Sequence, residues 1–462
     1  MLFHKMCLKK LKLSHMFFIN SLVVFVAVSV TIFNYIYLTS NMIIDEEFHL
    51  PLGKLYCNFD FFVWDPKVTT LPGLYIVSSM IMGPLSLCTT YWLRFVSLVF
   101  SIINILLFYV LFDIYDKHEW GNIFSSLTLA LLPPLYFFSH VYYTDVVSLT
   151  MVLLMMVASE KKCHYMGAIF GMAAIICRQT NIIWLLLISG KYALTEMYNC
   201  CSDKETLRRG IPVIEFITFL TETIKNPLNK LRKMTTTFWC NVMWYIAIML
   251  IFLGFLIYNG GIVVGDKTAH VSTIHIPQLF YFSLFCLIFS WPHFVGEVSS
   301  FLAFSRKHKI GIIVVTLLGF LIVMFNTQVH PYLLADNRHY MFYIWNRFYQ
   351  KYVLFKYAIV PVYIFAWYVI VKLLYDKDDI TFLFFYLVCT TIVLVTQKLI
   401  EVRYFLIPYI LFRLRLKSNA NNAFNLVLEF VTYLLINRIT LQLFFTKVIT
   451  WNDYSEFQRI IW

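Results

Sequence analysis

Asp45-Glu46-Glu47-Phe48-His49 sets three carboxylates and an imidazole side by side directly after a long apolar run. A carboxylate within a turn or two of a membrane surface can act as general base for a sugar hydroxyl whose substrate is anchored in lipid. The competing reading is a solvated run that caps a helix, because Asp and Glu are favoured near helix N-termini. Spacing alone leans towards capping. Trp64-Asp65-Pro66-Lys67-Val68-Thr69-Thr70 is a second acidic candidate. By itself it reads as a turn entering an interfacial helix, with an aromatic at headgroup level. Arg178, Arg338 and Arg403 each end an apolar segment. A guanidinium fork binds phosphate through two parallel hydrogen bonds, and an arginine at such a place also serves by snorkelling to ordinary headgroups. No HExxH, GxSxG, P-loop or GxGxxG motif stands in a context that would give it a role.

The elements that must position these residues are membrane helices. Hydrophobic residues make up 60% of the chain, charged residues 13%, and the mean hydropathy is +0.73. A soluble domain carries about a quarter charged residues, so a soluble fold is excluded. The net charge of +12 is read as lysine and arginine collected in cytosolic loops rather than as a nucleic-acid surface. The ten cysteines are scattered without a CxxC pair, so neither zinc nor a disulfide framework is expected.

Lys5, Lys9, Lys10 and Lys12 precede an apolar run at 16–38 and place the N-terminus in the cytosol. Further spans are expected at 92–112, 121–138, 143–159, 164–177, 181–192, 236–258, 276–296, 309–326, 353–374, 380–397, 403–414 and 423–442. Pro72–Leu87, 16 residues holding two prolines and two glycines, is treated as re-entrant or interfacial, because counting it as a span reverses every later basic cluster. With that choice Lys161-Lys162, the loop 193–235 with Lys204, Arg208 and Arg209, Arg306 to Lys309, and Arg413 to Lys417 all fall in the cytosol. The opposite face then receives 41–71, Asp145, Arg178, Gly265-Asp266-Lys267-Thr268, Asp336 to Tyr340, and Lys398 to Arg403. The fold expected is an all-α polytopic membrane protein of about 12–14 transmembrane helices. It forms one domain over 1–462, with an acidic loop and interfacial helices at 41–91 and a basic cytosolic loop at 193–235.

Asp45-Glu46-x-Phe48-His49-x-Pro51, Tyr56-Cys57 and Trp64-Asp65-Pro66-x-Val68-Thr69-Thr70-x-Pro72-Gly73-Leu74-Tyr75 closely resemble the N-terminal signature of the endoplasmic-reticulum dolichyl-phosphate-glucose α-1,2-glucosyltransferases. The likeness continues in order through Arg178-Gln179-Thr180-Asn181, Asn259-Gly260-Gly261, Asp336-Asn337-Arg338-His339-Tyr340, Gln397-Lys398-Leu399-x-Glu401-x-Arg403-Tyr404 and Gln458-Arg459-x-x-Trp462. Glu47, Leu52 and Lys54 depart from the family pattern without removing Asp45. The resemblance implies a GT-C fold and catalysis on the luminal face of the endoplasmic reticulum membrane. It implies dolichyl-phosphate glucose as donor and the diglucosylated oligosaccharide on dolichyl pyrophosphate as acceptor, and no cofactor is expected. Asp45 would be the base, with Glu46 or Asp65 orienting it or the acceptor. Arg338 and Arg403, with Arg178, would hold phosphate, and Asp336, His339 and Glu401 would line the substrate site.

A lipid or solute transporter and a channel-modulating subunit are the rival readings. The sequence shows no paired halves of the kind inverted repeats leave and no arginine ladder within a span.

Overall fold

The computed structural model describes residues 12–201, 213–267, 273–375, 380–416, 422–451 and 457–462. Lys5, Lys9, Lys10, Lys204, Arg208, Arg209, Thr268 and Lys417 lie outside the described residues. The protein is an all-α polytopic membrane protein. Among the described residues six helices have the length and apolar composition to cross a bilayer unaided: Leu13–Thr39, Thr90–Tyr115, Thr236–Asn259, Lys309–Asn326, Phe355–Tyr375 and Ala423–Thr446. Most of the other expected spans are shorter or broken, whereas 181–192 lies in the longer helix Ile182–Cys201. Pro133-Pro134 divides 121–138 into Glu119–Ala130 and Pro133–Phe138, and Pro292 divides 276–296 into Pro277–Phe289 and Trp291–Val295. Proline removes a backbone donor and clashes with the preceding turn. Such breaks are tolerated where neighbouring helices satisfy the freed groups.

Ion pairs mark the two ends of the bundle. Lys12 pairs with Glu119 at 3.2 Å, joining the start of Leu13–Thr39 to the turn that follows Thr90–Tyr115. At the opposite ends of the same helices Tyr91 donates to Asn34 at 3.0 Å. The chain therefore crosses once on Leu13–Thr39 and returns on Thr90–Tyr115. The helices between them, Glu46–Cys57 and Gly73–Met82 with the turn Gly83–Leu85, stay at one end. Helix Thr144–Glu160 connects both ends, with Asp145 near Arg178 and Glu160 bound by Lys191 at 2.9 Å and Tyr115 at 3.2 Å. Its 17 residues span only about 25 Å. It is buried among helices Thr90–Tyr115 and His164–Cys177, so it need not match the lipid thickness itself.

Polar groups join these buried helices. Thr150 donates to Asn104 at 2.7 Å, and Asn181 donates to Ser148 and to the Ala174 carbonyl at 2.7 Å each. Side-chain hydrogen bonds and small residues replace the hydrophobic drive, which does little between helices in lipid. Arg413 and Glu429 form a buried pair, at 2.7 Å, that also receives His293. The chain closes with Val448–Ile449 antiparallel to Gln458–Arg459, and Ile461 exchanges backbone hydrogen bonds with Arg338 and Tyr340.

One expectation is corrected. Cys57 and Cys88 form a disulfide across 31 residues, with Cα atoms 5.6 Å apart. The scatter of cysteines along the chain hid it, because the pair becomes adjacent only when Gly73–Leu85 folds back onto Glu46–Cys57.

Candidate active site

Ile44 has a left-handed backbone, φ 45°, and that turn delivers Asp45 as the residue preceding helix Glu46–Cys57. Asp45 makes no side-chain capping bond to that helix. Its carboxylate reaches across the bundle and accepts from Arg403 Nη2 at 2.8 Å, with its side chain 36% exposed. The capping role that spacing favoured is thus not the one the fold selects. Burial works against the charge on Asp45, and Arg403, the largest opposing influence, holds the carboxyl below its ordinary value. The Asp45 amide donates to the Tyr143 hydroxyl at 3.1 Å, and that hydroxyl donates to the Ile43 carbonyl.

Arg403 is the hub. Besides Asp45 it binds Glu401, and it lies 3.8 Å from Asp145 Oδ2. Its guanidinium also sits over the rings of Tyr143 and Phe138, at 5.1 and 5.6 Å. Asp145 Oδ1 accepts from Arg178 at 2.5 Å. The row Asp45, Arg403, Asp145, Arg178 alternates in sign. Arg178 is in turn set against the Tyr404 ring at 5.9 Å.

Glu46, one residue from Asp45, is fully buried and faces away from the cluster. Its oxygens accept from Arg94 at 2.5 and 2.9 Å, from the Tyr142 amide at 2.6 Å and from the Ile43 amide at 3.0 Å. These bonds tie Glu46 to the turns that carry Asp45 and Tyr143. Asp65 accepts from the Lys67 amide at 2.9 Å and shapes the turn before Gly73–Met82. That turn is braced by Gly265, whose φ of 69° and approach to the Pro66 and Val68 carbonyls leave no room for a side chain. His49, beneath Asp45, is bonded to the Tyr75 hydroxyl at 2.5 Å. Burial, partly opposed by Asp45, drives its imidazole down to about 4.

A second cluster forms at Asp336-Asn337-Arg338-His339. Arg338 is bidentate on Asp336, both bonds 2.9 Å, and lies 4.3 Å over the Trp451 ring and 3.3 Å from Gln458. His339 stands 3.8 Å from Asp336 and lies near enough to Asp45 to act on its carboxyl. Burial opposes the Asp336 charge, and the Arg338 bonds outweigh it and lower the carboxyl below its usual range.

The fold therefore joins Asp45, Glu401, Arg403 and Arg178 directly, brings Asp336, Arg338 and His339 in as a neighbouring set, and leaves Glu46 and Asp65 as supports. Tyr143 and Arg94 were not among the site residues expected, and Asp145 was expected only as one of several reserve carboxylates on that face. Arg94 carried a readable signal, since a lone arginine within an apolar span needs a partner. Among the described residues no group of three or more His, Cys, Asp or Glu side chains is placed to hold a metal ion.

A family model described as the DIE2/ALG10 family matches residues 39–414, which include Asp45, Asp145, Arg178, Arg338 and Arg403. A Drosophila melanogaster protein named Dol-P-Glc:Glc(2)Man(9)GlcNAc(2)-PP-Dol alpha-1,2-glucosyltransferase is 39% identical, over 95% of this chain and 97% of its own. Proteins of the same name from Homo sapiens and Arabidopsis thaliana are 38% and 32% identical, each over 90% of this chain and over 92% and 94% of their own. No solved structure matches.

Proposed function

The chain belongs to the DIE2/ALG10 family, and from that premise we propose the chemistry of its site. The protein is a dolichyl-phosphate-glucose-dependent α-1,2-glucosyltransferase. It transfers glucose to the diglucosylated high-mannose oligosaccharide on dolichyl pyrophosphate, the last step in building that lipid-linked donor for N-glycosylation. The site faces the lumen of the endoplasmic reticulum, a reading supported by Lys12, Lys191 and Arg415 at the opposite end of the bundle.

Transfer inverts the anomeric carbon. The acceptor hydroxyl attacks from the face opposite the phosphate, a new C–O bond forms, and the bond to the lipid phosphate breaks with its electron pair leaving on dolichyl phosphate. Asp45 takes the hydroxyl proton. Arg403 steadies the departing phosphate, with Arg178 and Arg338 beside it, because a fork matches two phosphate oxygens. A phosphate is a good leaving group, so a base and a cationic clamp suffice. The observation that carries this assignment is the 2.8 Å contact between Asp45 and Arg403, which sets a proton acceptor beside a phosphate-binding fork. A phosphate that draws Arg403 to itself also removes the neighbour that weakens Asp45 as a base, so donor binding would activate the carboxylate.

The test is turnover by the purified protein in nanodiscs with dolichyl-phosphate glucose. Glucose should pass to an acceptor bearing two glucoses and not to one bearing a single glucose. Equal transfer to both, or transfer to neither, would overturn the assignment.

A further inference from the structure

The segment after helix Glu46–Cys57 reads Phe59-Asp60-Phe61-Phe62-Val63-Trp64. It is a compact finger. Phe59 and Asp60 donate back to the Tyr56 and Leu55 carbonyls at 2.9 and 3.0 Å, and Phe61 packs edge-on against Tyr56 at 5.3 Å. Phe59 has a left-handed backbone, φ 62°, a conformation disfavoured for a bulky residue and retained where the surroundings impose it. Its ring rests on the turn at Gly83, where a Cβ would come within 2.9 Å of both that ring and the Cys57 carbonyl. Despite this order, the finger presents its apolar side chains outward. Phe62 is 98% exposed, and Phe59, Phe61 and Val63 are also exposed. Met80, Ile81 and Leu85, on either side of Gly83, are exposed as well. Asp60 is the finger's one charged residue, half-buried, and its carboxylate accepts from the Phe62 amide at 3.4 Å.

The base of the finger is tethered by the disulfide. Cys57 is bonded to Cys88, two residues before the membrane-crossing helix Thr90–Tyr115. Two extended residues reach about 7 Å at most. At that end of the bundle Tyr91 stacks edge-on against Tyr37 and Trp92, at 5.0 and 5.2 Å. Tyrosine and tryptophan collect where hydrocarbon meets headgroups. The finger thus emerges at the level of an aromatic belt, on the side of the membrane that holds Asp45.

We propose that Phe59–Val63 is a membrane anchor whose partner is the lipid surface itself, at the boundary between acyl chains and headgroups. An exposed, nearly uncharged aromatic tip suits that boundary and is costly in water. The contact is apolar, so neutral lipid suffices. Anchoring the C-terminal end of Glu46–Cys57 holds Asp45, at the other end of that 12-residue helix, at a constant depth. This last point rests on the glucosyltransferase reading, in which Asp45 must meet a sugar carried on a lipid phosphate.

The test uses the full chain in phosphatidylcholine nanodiscs with the photoreactive substitution Phe62→p-benzoylphenylalanine. Mass spectrometry of the irradiated protein should find lipid adducts at position 62, with a yield comparable to that of the same probe at Val24, which is exposed on helix Leu13–Thr39. Adducts confined to added oligosaccharide or to the protein itself, with Val24 labelled normally, would mean a sugar platform or an internal contact and would sink the anchor. A kinetic arm adds Phe62→Asp and Phe62→Leu. The aspartate should raise KM for the membrane-embedded donor roughly tenfold or more, the worth of burying a phenyl ring, with kcat retained. Leucine should restore it, and a short-chain water-soluble donor should show no such difference. An unchanged KM in Phe62→Asp would refute the depth-setting role. Lipid adducts in a protein that never transfers glucose would leave the anchor standing and remove the glucosyltransferase reading.

Discussion

Replacing Asp45 and Glu46 by their carboxamides should separate chemistry from architecture, although the two residues are adjacent. Asparagine at 45 keeps the size of the side chain and a hydrogen bond to the acceptor but cannot take its proton. A positioned base contributes about 10²–10⁴-fold, or roughly 3–5 kcal/mol of barrier, and turnover by Asp45→Asn should fall by that factor. Stability should change little. The Asp45 side chain is over a third exposed, and Arg403 keeps Glu401 and Asp145, so the lost pair is worth no more than about 1 kcal/mol. Glu46→Gln does the reverse. It removes the charge facing Arg94, where both side chains are 1% exposed or less, and an uncompensated buried charge costs about 3–5 kcal/mol. The assay is single-turnover transfer in nanodiscs, run beside thermal unfolding of the same preparations. Asp45→Asn should unfold near the wild-type temperature and transfer almost nothing, while Glu46→Gln should unfold much earlier. Near-normal transfer by Asp45→Asn would refute the base assignment and turn attention to Asp145. A Glu46→Gln protein as stable as wild type would refute the structural role given to the Arg94 pair.

Arg403→Lys should keep abundance and lose most turnover, because an ammonium reaches one oxygen where the guanidinium spans several; wild-type kinetics there and in Arg338→Lys would favour headgroup contact over a phosphate clamp. The disulfide closes a loop of 31 residues, and Cys88→Ser should cost about 3–4 kcal/mol of stability by loop entropy. Non-reducing peptide mapping that finds both thiols free in native protein would refute the bond. His49 titrates at about 4 against an ordinary 6.5, so between those values the unfolded chain binds more protons and stability falls as the pH drops. His49→Gln should flatten the dependence of unfolding temperature on pH between about 6.5 and 4, and an unaltered slope would remove His49 as its source.

Sequence alone determined that the chain lives in a membrane, because hydropathy is a property of local composition, and lysine-arginine placement supplied an expectation for which face each polar segment occupies. It also singled out Asp45, Arg178, Arg338 and Arg403, since an ionisable residue at the edge of an apolar run is costly without a partner. The partners were another matter. Asp45 and Arg403 are 358 positions apart, and no local pattern tells which of several carboxylates an arginine will meet. Asp45-Glu46-Glu47 are consecutive in the chain, yet the turn at Ile44 sends Asp45 to Arg403 and Glu46 into the core against Arg94. Asp145 entered the row only because the buried helix Thr144–Glu160 begins beside Arg178. Cys57 and Cys88 met only when the Gly73–Leu85 hairpin folded back. Local composition decides whether a residue seeks water or lipid; which charge answers another depends on helix ends that approach each other only in the packed bundle.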